Sequence, residues 1–291
     1  MKIIGALEAG GTKMVMAILN ESGEILDRKT IPTRTPEETM PEIGDYFAEK
    51  KAEALGVACF GPIDVHKNSP TYGHILETPK LAWRGCDILG YLRERLHVPM
   101  AFDTDVNGSA LGEYRFGAAR DVDSCVYITI GTGIGIGVIA EGRPVHGALH
   151  PEGGHIIMKR MAGDDFPGVC PSHGDCFEGM AAGPALEKRF GVPAYLLKDR
   201  EDVWELESWY IAQAIVNYIC ILSPRRIILG GGVMKQEQLF PLIRKKVPEM
   251  INGYLDFPEL HDMAHYIVAP GLGDDQALLG CLHMALQEIG G

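Results

Sequence analysis

The chain has 291 residues, 46% hydrophobic and 23% charged, with a formal net charge of -12. That composition is ordinary for a globular protein, and the length reaches the roughly 250–300 residues at which one core usually splits, so two lobes are expected. The acidity argues against general nucleic-acid binding, which needs clustered Lys and Arg, but leaves room for a local anion site built from backbone N–H groups.

The opening, MKIIGALEAGG, has an apolar run that meets Glu8 too early for a secretory leader, and no stretch approaches the roughly 20 apolar residues of a membrane span. A cytoplasmic protein without a membrane partner is expected. KIIGAL and MVMAIL are continuous apolar runs around EAGGTK, the pattern of a hairpin with a glycine-threonine turn, and ILDRKTI can supply a third strand. Residues 36–54 carry apolar residues at helical spacing after Pro36. LGVACFG reads as a buried strand ending in a Gly-Pro turn, DILGYLRERL as an amphipathic helix, PMAFDTD as a strand and VNGSALGEYRFG as the helix after it. CVYITIGTGIGIGVIAEGRPV then repeats the strand, Gly/Thr turn and strand of the N-terminus as a weak internal echo. Residues 143–183 are loop-rich. Helices are expected over 202–222, 236–251 and 274–288, with strands at RRIILGGG and HYIVAPG. Strands alternating with helices in both halves predict an α/β protein of two similar lobes.

Four stretches carry candidate chemistry. In EAGGTK, Gly10 and Gly11 let backbone approach an anion, Thr12 adds a hydroxyl, Lys13 a charge, and Glu8 can hold magnesium through water; an ordinary hairpin turn explains the glycines equally well. GTGIGIG matches a dinucleotide fingerprint only loosely, because Ile134, Ile136, Val138 and Ile139 keep it strand-like where a helix should open. Two such turns, one per lobe, suit a nucleotide triphosphate gripped between lobes. LGGGV offers bare backbone to adenosine, or is a plain tight turn. FDTDVNG sets Asp103, Asp105 and Asn107 at a strand's C-terminal end, where a carboxylate can accept a proton from an attacking hydroxyl; helix capping is the rival explanation.

CPSHGDC places Cys170, His173 and Cys176 at zinc-loop spacing, with His150 or His155 of HPEGGH available as a fourth ligand. A disulfide would need an oxidising compartment, and a catalytic thiol one cysteine rather than two around a histidine. A closed structural zinc site is the favoured reading. Of the remaining cysteines, Cys59, Cys125 and Cys220 sit in apolar runs and read as small core residues.

In order and spacing, EAGGTK, DTDVNGSALGE, ITIGTGIGIG, HPEGGH, CPSHGDCFEGMAAGPA and IILGGG resemble the ROK sugar kinases over nearly the whole chain. Glu8 where many members have Asp, His173 where many have Cys, and TPKLAW resemble the bacterial zinc-containing fructokinase branch. The resemblance implies a two-lobed, actin-like ATPase (ribonuclease H-like) fold with an interlobe active-site cleft. Lobes of 1–118 and 119–275 are expected, with a C-terminal helix, 276–291, packing back on the first. It implies ATP, Mg2+ and structural Zn2+ as cofactors and a hexose as substrate, with a homodimer as the common assembly. Asp105 is the implied general base. Asn107, Glu152, His155 and Glu178 would bind the sugar, and His155, Cys170, His173 and Cys176 the zinc. Thr12, Lys13, Thr132 and Gly133 match phosphate positions, and Gly231 and Gly232 the adenosine turn. ATP-dependent formation of fructose 6-phosphate is the expected activity. Glucose, mannose or an amino sugar is the alternative within the class, and a sugar-responsive regulator the alternative outside it.

Overall fold

The computed structural model describes residues 2–290. They form two compact units, each built on a sheet with helices. The first takes the described residues up to Arg120, Arg143–Pro151 and those from Gly271 on; the second takes Asp121–Gly142 and Glu152–Pro270.

The first unit holds β1 (Ile4–Ala9), β2 (Lys13–Leu19), β3 (Ile25–Pro32), β4 (Ala54–Cys59) and β5 (Met100–Thr104), in the order β3-β2-β1-β4-β5. β1 pairs antiparallel with β2 and parallel with β4, which in turn pairs parallel with β5. β4 is buried along its whole length, as a continuous apolar run between covered faces should be. Helix α1 (Pro36–Glu49) starts at Thr35 with a capping box from Glu38, and α2 (Ile88–Leu96) starts at Asp87, whose carboxylate accepts the Gly90 N–H. Helix α3 (Asp105–Phe116) follows β5 directly. Its neighbour is the last helix, α9 (Gln276–Gly290), and the two backbones nearly touch. A Cβ on Gly280 would lie 1.8 Å from the Gly108 carbonyl oxygen, and one on Gly112 1.9 Å from that of Gln276. Buried Glu113 accepts the N–H groups of Ala118, Gly271 and Leu272, tying the end of α3 to the turn before α9. Helix α3 is therefore held along its length by α9 and at its C-terminal end by the Glu113 bonds.

In the second unit, β6 (Cys125–Ile130) pairs antiparallel with β7 (Ile134–Ala140) and parallel with β9 (Arg226–Gly230), which pairs with β10 (Ile267–Val268). This repeats the β2-β1-β4 arrangement of the first unit, so the echo of strand, turn and strand is an echo of topology. The segment 143–151 holds the two-residue β8 (Arg143–Pro144). After β8 the loop-rich stretch forms one 3-10 turn, Gly153–His155, and the five-residue α4 (Phe177–Ala181); α5 (Gly183–Phe190) follows. Helix α6 (Glu201–Leu222) buries Trp204, Tyr210, Ile211, Ile215 and Ile219. α7 (Leu239–Ile251) contacts it, and the short α8 (Met263–Tyr266) precedes β10.

Two expectations change. HYIVAPG contributes only Ile267–Val268 to the sheet, because the Asp262 carboxylate caps His265 and turns Met263–Tyr266 into helix. Cys59 and Cys125 are core residues as expected, but Cys220 is exposed, on the outer face of α6. No described helix is long and apolar enough to cross a membrane.

Candidate functional site

The candidate residues of the first unit lie at two strand ends. The β1–β2 turn closes by a Gly10 N–H bond to the Lys13 carbonyl at 3.0 Å, and Thr33 holds it from β3's end, its hydroxyl donating to the Gly10 carbonyl at 2.7 Å. Thr12 and Lys13 are exposed at its tip. A Cβ on Gly11 would lie 2.8 Å from Lys80 Cε, so the Lys80 side chain from TPKLAW lies over this glycine. Glu8, just before the turn, has its pKa raised, first by burial and further by Asp274 and Asp275, against the pull of Lys13 and Arg28.

At the β5–α3 junction the N-cap is Thr104, whose hydroxyl accepts the Asn107 N–H at 3.1 Å. Asp105 is the first residue of the helix, half-buried, with Oδ1 accepting the Val106 N–H at 2.9 Å. Asp103 is 3% exposed and accepts from the Thr104 N–H at 2.7 Å and from Asn107 Nδ2 at 2.8 Å. His146 Nε2 stands 3.0 Å from its other oxygen. This carboxylate raises the His146 pKa, against the effect of burial. Asn107 is fully buried, and its Oδ1 has no partner among the described residues. His150, the other candidate fourth zinc ligand, is buried in the same unit and accepts the Ile63 N–H through Nε2 at 3.1 Å; burial lowers its pKa. It is therefore not part of the cysteine cluster.

In the second unit, the β6–β7 turn closes with Gly131 N–H to Gly133 carbonyl at 2.9 Å, and Gly183 N–H donates to the Gly131 carbonyl at 2.8 Å. Thr132 is exposed at the tip. Glu178, second residue of α4, accepts the Ile134 N–H through Oε2 at 2.9 Å, which ties that helix to the turn. Gly231 has φ +89, and a Cβ there would lie 2.4 Å from the Ile130 carbonyl oxygen, so this bend admits only glycine; Gly232, beside it, is open. Glu152 has a raised pKa, from burial first and then from the Glu178 carboxylate.

The ligand atoms of His155, Cys170, His173 and Cys176 all lie within 4.8 Å of one another. His155 Nδ1 is 3.7 Å from Cys170 Sγ and 3.5 Å from Cys176 Sγ, and His173 Nδ1 is 3.7 Å from Cys170 Sγ. A tetrahedral zinc with Zn–S about 2.3 Å and Zn–N about 2.0–2.1 Å separates sulfur from nitrogen by about 3.5–3.6 Å. The donor set fits that ion in kind and in spacing. The loop holding it is tight backbone: a Cβ on Gly168 would lie 2.0 Å, and on Gly179 1.9 Å, from the Gly174 carbonyl oxygen. Burial pushes the Cys176 thiol up to about 11, and the adjacent Cys170 thiol adds to it. A bound cation is what such a thiol pair needs to ionise. With Nδ1 facing the thiols, His155 keeps Nε2 for other partners.

Sequence reasoning missed three features here: Asp103 as the hub of a network, His146 as its partner, and Lys80 over the first turn. VHGALH carries no motif to single out His146, and Lys80 lies in a stretch noticed only for its resemblance.

The paired sheets and glycine turns are those of the actin-like ATPase fold. A glucokinase of the ROK family from Streptomyces griseus, solved with glucose and AMPPNP, superposes with a TM-score of 0.76 at 25% identity, covering 98% of this chain and 99% of that one. The ROK family model matches residues 4–288, and the chain belongs to the ROK family. A Bacillus subtilis (strain 168) protein is 51% identical over 99% of this chain and 96% of its own. The fructokinase of Pediococcus pentosaceus is 46% identical over 97% of each chain.

Proposed function

We propose that the protein is an ATP-dependent hexose kinase that converts D-fructose to fructose 6-phosphate. The observation that carries the reading is the division of labour at the start of α3: Thr104 takes the cap, so Asp105 is not needed to end the helix. Similarity over nearly full length to a fructokinase supports fructose as the sugar.

In this reading Asp105 accepts the proton of the 6-hydroxyl as its oxygen bonds the γ-phosphorus. The bond from that phosphorus to the β,γ-bridging oxygen breaks, and ADP leaves. The Gly10–Lys13 turn and the Thr132–Gly133 turn present N–H groups and hydroxyls to phosphate oxygens, with Lys13 adding charge. Gly231 and Gly232 offer flat backbone to the adenosine. Bound Mg2+ would neutralise charge on the β- and γ-phosphates, and Glu8, whose pKa is raised first by burial, would hold it through water. Glu152, Glu178, Asn107 and His155 Nε2 accept from and donate to sugar hydroxyls. His155, Cys170, His173 and Cys176 hold a structural zinc that fixes the His155 ring. Dependence on ATP fits a cytoplasmic enzyme, and a homodimer is the assembly to look for by light scattering.

The test is release of ADP by the purified protein with Mg-ATP and a panel of fructose, glucose, mannose and amino sugars. Fructose should show the highest kcat/KM and yield the 6-phosphate. Absence of turnover with every hexose would overturn the kinase reading, and preference for another sugar the assignment of fructose.

A further inference from the structure

The loop 143–151 is anchored to its unit at three places. His146 Nε2 meets Asp103 at 3.0 Å, the Ala148 carbonyl stands 3.0 Å from His66 Nε2, and His150 accepts the Ile63 N–H. Two anchors besides His146 therefore hold the loop, and tethering it does not by itself call for a histidine at 146. What distinguishes His146 is the contrast in exposure across its ion pair. The His146 side chain is 32% exposed and that of Asp103 4%. One end of the pair is dry and the other open to solvent.

The tautomer follows from the neighbours. Asp103 accepts from Asn107 Nδ2 and from the Thr104 N–H, and a carboxylate facing His146 Nε2 requires a proton on that nitrogen. The 3.3 Å between Asn107 Nδ2 and His146 Nε2 is then two donors converging on one acceptor. The other nitrogen, Nδ1, has no hydrogen-bond partner among the described residues. Asp103 thus fixes the ring and leaves one polar atom uncommitted. Asp105 is two residues from Asp103, at the first position of α3, and Asn107 belongs to the same network.

Resting on the hexose-kinase reading, we propose that His146 is a substrate-contact and specificity-determining residue. Its Nε2 is committed to Asp103, and its Nδ1 hydrogen-bonds one hydroxyl of the sugar whose 6-hydroxyl is deprotonated by Asp105. A sugar hydroxyl can donate or accept, so it satisfies Nδ1 in either protonation state. A site that hydrogen-bonds a hydroxyl discriminates against sugars that place it elsewhere, because the site's own polar atom is then left unpaired.

The variant that separates this from a structural pin is His146→Gln. The glutamine amide N–H reaches about as far as Nε2 and keeps the bond to Asp103, while the Nδ1 group is lost. With folding checked by thermal denaturation, KM for fructose should rise about three- to tenfold, the loss of one uncharged hydrogen bond, with KM for ATP and kcat nearly unchanged. The difference between wild type and variant should vanish for the one deoxyfructose that lacks the contacted hydroxyl. An unchanged fructose KM, or an equal penalty for every deoxy analogue, overturns the proposal. Should His146→Gln fail to fold, nitrogen NMR of histidine-labelled wild type gives the answer: saturating fructose must shift the His146 Nδ1 resonance, and a static signal refutes the contact. Turnover by the wild type keeps the two failures apart. If the wild type phosphorylates no hexose, the kinase reading falls; if it phosphorylates fructose and His146→Gln is silent, only this inference does.

Discussion

Asp105→Asn and Thr104→Ala, made side by side, distinguish a catalytic carboxylate from a helix cap. Asparagine has the shape of aspartate and keeps Oδ1 as acceptor for the Val106 N–H, now 2.9 Å away. Its folding cost is the lost interaction of one charge with the N-terminal end of α3, about 0.3–1 kcal/mol. Thr104→Ala instead removes the oxygen that accepts the Asn107 N–H, at a cost of about 0.5–2 kcal/mol. Activity should rank the other way. Loss of a general base lowers kcat by about 10²- to 10⁴-fold, or about 2.7–5.5 kcal/mol of barrier, whereas Thr104→Ala leaves the base in place. Denaturant unfolding reads the first ordering and ADP release at saturating fructose the second. Retention by Asp105→Asn of more than a tenth of wild-type kcat would refute the assignment. So would a stability loss exceeding that of Thr104→Ala, because Asp105 would then be acting as the cap.

Gly154→Ala would drive a Cβ to 1.8 Å from the Ile134 carbonyl oxygen, a clash with backbone, and should destabilise by about 1–3 kcal/mol or more in urea unfolding. Gly11→Ala meets only the flexible Lys80 side chain, at 2.8 Å, so stability should stay within about 0.5 kcal/mol while KM for ATP rises; the reverse ranking would contradict both placements. His283, buried in α9, has its pKa pushed down to about 4 by burial first and by Arg115 second. The folded state then binds fewer protons than the unfolded state, whose value is 6.5, so stability is present above that value and is lost as pH falls. Between pH 7.5 and 5.5 the loss should be about 1.4 kcal/mol, and His283→Asn should remove most of that slope; parallel pH profiles for the two proteins would refute it. Metal analysis should find stoichiometric zinc in native protein and none in Cys176→Ser, and a native preparation lacking zinc ends the metal assignment.

Strands were legible where apolar runs stop at glycine. β1, β2, β6 and β7 bracket the two Gly/Thr turns, and their pairing repeats the echo in sequence. Less legible was anything decided by a hydrogen bond between distant residues. TDVN offers both Thr104 and Asp105 as caps; the β5 ladder, which pairs Thr104 with Cys59, settles the choice by carrying extended backbone through Thr104. The exposure of Cys220 depends on which side of α6 meets its neighbours, and the apolar run NYICILS hides that side. His146 could not be found from spacing. It reaches Asp103 only because Arg143–Pro151 belongs to the first unit while the residues on either side belong to the second. Local sequence carries no mark of such a return.

On the proposed function, the cysteine loop serves more than the sugar. Cys176 begins α4, and Glu178 in that helix accepts the N–H of Ile134, the residue after Gly133. The turn carrying His155 rests on the same strand, since Gly153 and Gly154 approach the Ile136 side chain and the Ile134 backbone, and Tyr218 holds the Gly153 carbonyl at 2.7 Å. Both ends of the four-residue cluster are therefore seated on the start of β7, where the second Gly/Thr turn ends. A loop that only ordered sugar ligands would raise KM for fructose alone when its metal is stripped. One seated in this way should raise KM for ATP as well, because freeing α4 frees the Glu178 carboxylate from Ile134. Glu178→Gln retains an oxygen that can accept that N–H, so it should weaken sugar binding and spare ATP. Measuring both constants on chelated wild type and on Glu178→Gln decides the matter: an ATP constant indifferent to chelation would show that the link through Ile134 transmits nothing.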